Sequence, residues 1–320
     1  MSEYIYVSRL KEHIQGLICQ KRALGFAYKT GAYLLHVFDR FVAIEFSEEN
    51  TISQAMALRW AELKPSEHIN NLQGRIYSVR QLALYMNRSG TNAYVLPEAF
   101  TRKRIPYIPH VFTDPELRAF FHEVDAVPFV KHNPARSLVV PVIFRLLYCC
   151  GLRPSEAVHL RTEDVDLESG VLTVRQAKGN KDRLAVLAYD VLNLCRRYDE
   201  RVSIVWPRRK IFFPNGHGYA YTPGYISDLF RGFWTKTSIR SAGENRPRLY
   251  DLRHSFCVKR LNHWVREGRD LNAALPYLSM YMGHSSFSNT DYYLHLVPDF
   301  YPELLARSAF VADRVIPEVE

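Results

Sequence analysis

The chain has 320 residues, 47% of them hydrophobic and 23% charged, which is enough for two domains with cores of their own and excludes disorder as the default. Its 42 lysines and arginines against 33 acidic residues give a net charge of +9. That charge is the footprint expected of a phosphate-rich partner, although alone it does not separate DNA from RNA or an anionic membrane surface.

Hydrophobic periodicity predicts a helical segment first, with helices near residues 8–25, 29–45, 52–63 and 67–87 and no strand between them. In the first, Leu10, Ile14, Leu17, Ile18 and Leu24 share a face, while Arg9, Lys11, Glu12, Lys21 and Arg22 lie largely elsewhere. Ser66 before Glu67 reads as the N-cap of the fourth. Residues 97–115 then carry four prolines and the basic run Arg102-Lys103-Arg104, a composition that disfavours regular structure and marks a boundary near residue 108. Lysines and arginines exceed acidic residues by 14 to 9 before that boundary and by 28 to 24 after it, so both parts are positive.

Beyond the boundary, Thr113 and Glu116 have capping-box spacing and should start a helix. A more apolar helix follows over 135–150, closed by Gly151. Val171 to Arg175 and Arg183 to Leu187 are β-prone arms around the turn-rich centre AKGNKD, a hairpin with lysines at its tip. Helical patterns resume over 189–203, 222–236, 250–267, 270–282 and 286–295. The expected fold is therefore mainly α with a small antiparallel β-sheet, in two domains, 1–108 and 109–320.

Several chemistries find no support. The five cysteines are odd in number and lack paired spacing, which fits reduced thiols in a cytoplasm. The apolar run from Leu138 to Leu152 is too short to span a bilayer and contains Arg145, and the N-terminus has no apolar signal core, so a soluble cytoplasmic protein is expected. No HExxH, CxxC, clustered carboxylates or GxxxxGK[ST] loop occurs, so neither metal nor nucleotide cofactor is expected.

Four stretches could carry chemistry: GLRPSE with Arg153, QAKGNKDR with Lys178, YDLRHSF with Tyr250 and Arg253, and MGHSSFSNTDYY with His284 and Tyr293. Each has a plain reading in isolation. Arg153 could pair with Glu156 at the surface, Arg253 could sit in a buried salt bridge, Lys178 could decorate a solvated turn, and Tyr293 could pack in a core. Taken in order they suit metal-free phosphoryl transfer, in which arginine forks and an imidazole N–H stabilise the charge of a pentavalent phosphate. A lysine could then protonate the leaving oxygen, and a tyrosine attack. Its phenol, with a pKa near 10, needs cationic neighbours to become nucleophilic.

The four stretches closely resemble the catalytic signatures of the tyrosine recombinase (phage integrase) family over roughly residues 110–300. The resemblance implies that Arg153 and Arg253 clamp the phosphate, Lys178 is the general acid, His284 assists, and Tyr293 forms a 3′-phosphotyrosine bond without metal or ATP. Tyr293 is favoured over the adjacent Tyr292, about 100° away on a helix, by its spacing from His284. Residues 1–108 resemble the family's helical, SAM-like core-binding domain, so the two domains should wrap DNA from both sides. The family commonly has histidine where this chain has Tyr250, a far weaker base, which is expected to orient the phosphate or a water.

The resemblance further implies double-stranded DNA as partner, a homotetramer on two DNA sites, room for an accessory DNA-bending protein, and a place on the cytoplasmic nucleoid rather than a membrane. Integration or excision of a mobile element is the expected task. A topoisomerase with the same residues and a catalytically silent DNA-binding protein remain the alternatives. Leu304, Leu305, Phe310 and Val311, at helical spacing in the tail, could dock on a neighbouring subunit or pack on their own domain.

Overall fold

The amphipathic helices that open the chain close around one apolar core. The computed structural model describes residues 4–100, 107–177, 181–237, 239 and 246–283. It divides into two compact units, Met1–Tyr107 and Ile108–Glu320. The first contains α1 (Lys11–Ala23), α2 (Lys29–Glu45), α3 (Gln54–Trp60) and α4 (Ile69–Arg88). Leu10, Ile14 and Leu17 meet Leu35, Phe38 and Val42 of α2, Trp60 of α3, and Ile76, Val79 and Leu82 of α4. Leu24, expected on the buried face, lies just past the end of α1 and is exposed.

Two polar devices set the helix ends in this unit. Fully buried Asp39 of α2 accepts hydrogen bonds from the amides of Val7 (2.7 Å) and Ser8 (3.1 Å), and its Oδ1 also receives the Ser8 hydroxyl at 2.6 Å. A side chain from a neighbouring helix thus pins the chain just before α1. The expected cap at Ser66 is a correction: Ser66 has φ +62°, and α4 begins at Ile69 with His68 accepting from the Asn70 amide. The reason is tertiary. Glu67 is drawn instead to the buried Arg75 fork, which it meets at 2.7 and 2.8 Å, while Arg75 also donates to the Trp60 and Glu62 carbonyls and lies over the Trp60 ring.

The second unit is built on α6 (Arg136–Cys149), whose residues Val139, Val140, Val142, Ile143, Phe144, Leu146 and Leu147 are all buried. So many buried apolar positions put this helix at the centre of the core, with Arg145 reaching out to Asp125. It is packed by α5 (Asp114–Asp125), α8 (Tyr189–Val205) and α10 (Asp251–Arg266). The capping box at α5 is present, with the Thr113 amide donating to Glu116 at 2.7 Å and the Glu116 amide to the Thr113 hydroxyl at 3.4 Å. The short α7 (Pro154–Val158) follows Gly151, and α9 (Pro223–Lys236) starts with the Thr222 hydroxyl accepting from the Tyr225 amide.

The sheet is antiparallel in the order β1 (Val165–Asp166), β2 (Val171–Ala177), β3 (Lys181–Val186). β1 went unread in the sequence because two residues cannot display a period. In the β2–β3 register, Leu172 faces Ala185 and Val174 faces Arg183, and all four are buried, so an arginine stands on the inner face of the sheet. Finally, α11 (Leu271–Met282) packs on α10 through Leu275, Leu278 and Met282 against Cys257, Val258 and Leu261. The architecture is mainly helical with a small antiparallel sheet. Among the described residues no helix is long and apolar enough to cross a membrane.

Candidate active site

Three arginines from three elements converge on the C-terminus of α11. Gly151, at φ +58°, ends α6, and a Cβ there would lie 2.7 Å from the Phe256 ring, so the turn requires glycine. Arg153 follows in extended backbone as the residue before Pro154, the first residue of α7. Its amide donates to Glu156 Oε2 at 2.8 Å, its Nη1 meets Glu156 Oε1 at 2.6 Å, and its Nη2 donates to the Gly283 carbonyl at 2.7 Å.

Arg253, on the first turn of α10, is only 1% exposed. One Nη donates to the Gly151 carbonyl and the other to the Met282 carbonyl. Burial pulls this guanidinium below its ordinary value, Arg153 and Arg183 add to the pull, and Tyr250 and Glu156 oppose it. An arginine still stays charged under such a perturbation.

Arg183 completes the set from β3, with Nη1 donating to the Tyr281 carbonyl and Nη2 to Glu156 Oε2, both at 2.7 Å. Consecutive carbonyls of Tyr281, Met282 and Gly283 thus each accept from a different arginine. These are the carbonyls a helix end leaves without partners, and the negative end of its dipole favours cations. Gly283 closes the helix at φ +62°, where a Cβ would stand 2.9 Å from Arg183 Cδ.

One carboxylate faces all three cations. Glu156, its side chain 5% exposed, lies 2.6 Å from Arg153, 2.7 Å from Arg183 and 3.9 Å from Arg253. Burial pushes its carboxyl up, but Arg183, the Arg153 amide and Arg253 outweigh that, so the group is held below the usual carboxylate range. Three guanidiniums against one carboxylate leave an excess of two positive charges. The named bonds use two of the five N–H donors on each of the Arg153 and Arg253 guanidiniums. A cluster of this kind can hold a phosphate and stabilise charge that grows on its oxygens.

The phage integrase family model matches residues 111–299, which contain this entire cluster. The chain belongs to the phage integrase family. It is similar to the integrase/recombinase y4rE of Sinorhizobium fredii, 31% identical over 290 residues that cover 89% of this chain and 91% of that one. It is also 30% identical to tyrosine recombinase XerC of Staphylococcus carnosus over 199 residues, 61% of this chain and 60% of the relative. In fold it is similar to the Tn1549 transposon integrase, solved in complex with a circular intermediate DNA, at a TM-score of 0.63 and 16% identity, covering 92% of this chain and 98% of that one. The chain is a site-specific tyrosine recombinase.

In this recombinase Tyr250 stands just before α10 and is 37% exposed. It borders a cavity of about 690 Å³ shared with Pro154, Arg231, Trp234, Arg246 and Arg248. Pro154, next in sequence to Arg153, lines the same cavity as Tyr250. One turn into α10, the His254 ring lies 5.0 Å from that of Tyr250. Burial, with Arg253 and Arg248 beside it, pushes His254 down to about 4, so the imidazole is neutral at pH 7.

The structure thus brings Arg153, Arg253 and the surroundings of Tyr250 together. Lys178, His284, Tyr292 and Tyr293 lie outside the described residues, as do the helix expected over 286–295, the basic run 102–104 and the tail after Tyr301. Arg183, in the sequence only the first residue of a β-prone arm, belongs to the recombinase's cluster as well. The signal available was its parity on β3, which sets a charge on the face that also carries Ala185. Among the described residues no group of three metal-ligating side chains gathers.

Proposed function

We propose that this recombinase cleaves and rejoins duplex DNA through a 3′-phosphotyrosine link made by Tyr293. The Tyr293 phenol gives up its proton to solvent as its oxygen attacks the scissile phosphorus, the bond to the 5′-oxygen breaks, and Lys178 gives that oxygen a proton. Arg153 stabilises the non-bridging oxygens from the surface, Arg253 adds its charge from the buried layer deeper in, and His284 contributes an imidazole N–H. Tyr250, at the rim of the cavity beside Pro154, orients the phosphate or a water. Because the covalent link conserves the energy of the broken bond, neither metal nor ATP is required.

The observation that carries this reading is the excess of positive charge tied to the last carbonyls of α11, next in sequence to His284. Residues 1–108 act as the core-binding domain and 109–320 as the catalytic domain, holding DNA from both sides. The working assembly is a homotetramer on two DNA sites, joined where the site demands it by a DNA-bending protein, on cytoplasmic nucleoid DNA. Excision and integration of a mobile element is the task that fits.

Covalent capture tests the proposal. The protein is incubated in EDTA with fragmented DNA from its own locus, denatured with detergent, and the attached DNA sequenced. The expected result is one enriched junction, lost in Tyr293→Phe and kept in Tyr292→Phe. Salt-sensitive binding of the same DNA without any adduct would instead identify a silent DNA-binding protein.

A further inference from the structure

Arg183 has no part in the chemistry just described, yet it is built into the same cluster. Its side chain is 6% exposed, and both of its Nη atoms are committed, one to Glu156 and one to the Tyr281 carbonyl. Of the three arginines, Arg153 has the most exposed side chain, at 12%. Arg153 is held by the same two bodies, Glu156 on one side and the end of α11 on the other. The bonds therefore form a closed ring that runs from Arg153 through Glu156 and Arg183 to Tyr281 and back through Gly283.

We propose that Arg183 is a positioning residue for strand cleavage, locking Glu156 and the end of α11 so that the Arg153 fork is aimed at the scissile phosphate. Three features of the ring support this role. Two acceptors 2.7 Å from different Nη atoms match a planar fork, whereas the single ammonium of a lysine reaches one. Arg183 grows from β3, paired with β2 at Val174, so the ring is anchored to a sheet rather than to another movable side chain. At Gly283 the backbone is packed by both arginines, since a Cβ there would lie 2.9 Å from Arg183 Cδ and 3.5 Å from Arg153 Nη1. A displacement of Arg183 is thus passed to Arg153 through two routes.

The inference rests on the reading that Arg153 opposes charge on the non-bridging oxygens, and the test separates the two. The probe is a synthetic duplex carrying the junction recovered by covalent capture, with the scissile group either the natural phosphodiester or an uncharged methylphosphonate. Adduct formation is followed in a single turnover at saturating DNA for wild type, Arg183→Lys, Arg183→Met and Arg153→Ala, with DNA affinity and thermal midpoint measured alongside.

Arg183→Met is expected to cleave the phosphodiester about 100-fold more slowly, the cost of a fork misplaced by about 1 Å, with affinity unchanged. Arg183→Lys should fall between it and wild type. On the methylphosphonate, which lacks the charge that Arg153 opposes, the deficit of both variants should close. A deficit equal on both substrates, or full activity in a folded Arg183→Lys, would overturn the proposal. If neither variant folds, Arg183 serves stability alone and the proposal is likewise lost. Persistence of the Arg153→Ala deficit on the methylphosphonate would instead sink the assigned role of Arg153.

Discussion

Glu156 shows how one carboxylate can organise a cationic site. Like charges packed around the end of α11 would repel one another, and a buried guanidinium without a counter-charge is costly. Glu156 answers both by placing one oxygen on Arg153 and the other on Arg183. Glu156→Gln keeps the shape but removes the charge, and should lower unfolding free energy by about 3 kcal/mol in urea titrations at pH 7. The pH dependence has a definite sign. The folded carboxyl titrates below its unfolded value, so its contribution is complete above the ordinary carboxylate range and drains away as pH falls through the folded value. The variant should lose that acid limb. His254 acts in a higher window, since its folded value is depressed to about 4 and its cost accrues as pH falls from 6.5 toward 4, so the two effects separate. An unchanged acid limb in Glu156→Gln would mean that the carboxyl is not perturbed as described.

At the level of elements, α11 ends where its three last carbonyls can be claimed, and glycine makes this possible. The left-handed turn at Gly283 terminates the helix, and the missing side chain admits Arg183 and Arg153 to its backbone. Gly283→Ala should therefore combine a backbone cost of about 1–2 kcal/mol with displacement of Arg183, visible as a lower thermal midpoint together with slower adduct formation. A loss of stability with full cleavage activity would show that the packing at Gly283 does not reach the chemistry. The same element illustrates what the sequence made legible. The 3.6-residue period and the glycine stop placed α11 over 270–282 against the observed Leu271–Met282, and the capping box placed α5. Ser66 failed as a cap because Arg75, further along the same helix α4 and fixed by the Trp60 and Glu62 carbonyls, claimed Glu67, an interaction no capping pattern announces.

For the molecule as a whole, two units with separate cores carry positive charge in both parts of the chain, and the net +9 sets how it meets DNA. Affinity should come largely from phosphate contacts. Binding to the captured junction should weaken on the order of 1,000-fold between about 50 and 200 mM salt, measured by fluorescence anisotropy. A salt-independent affinity would contradict a phosphate-dominated interface. Helix positions, the hairpin, the mainly helical class and the ordered signatures around Arg153 and Arg253 were all present in the linear chain. Periodicity, capping and turn chemistry act between near neighbours, and motif order survives without coordinates. Of the ring, only the Arg153–Glu156 pair, three residues apart, could be read; its other bonds span 27, 98 and 130 residues, and Arg253 reaches its acceptors across 102 and 29. Which carbonyl each fork meets depends on how β3, α7, α10 and α11 pack, and packing is a property of surfaces that the order of residues does not display.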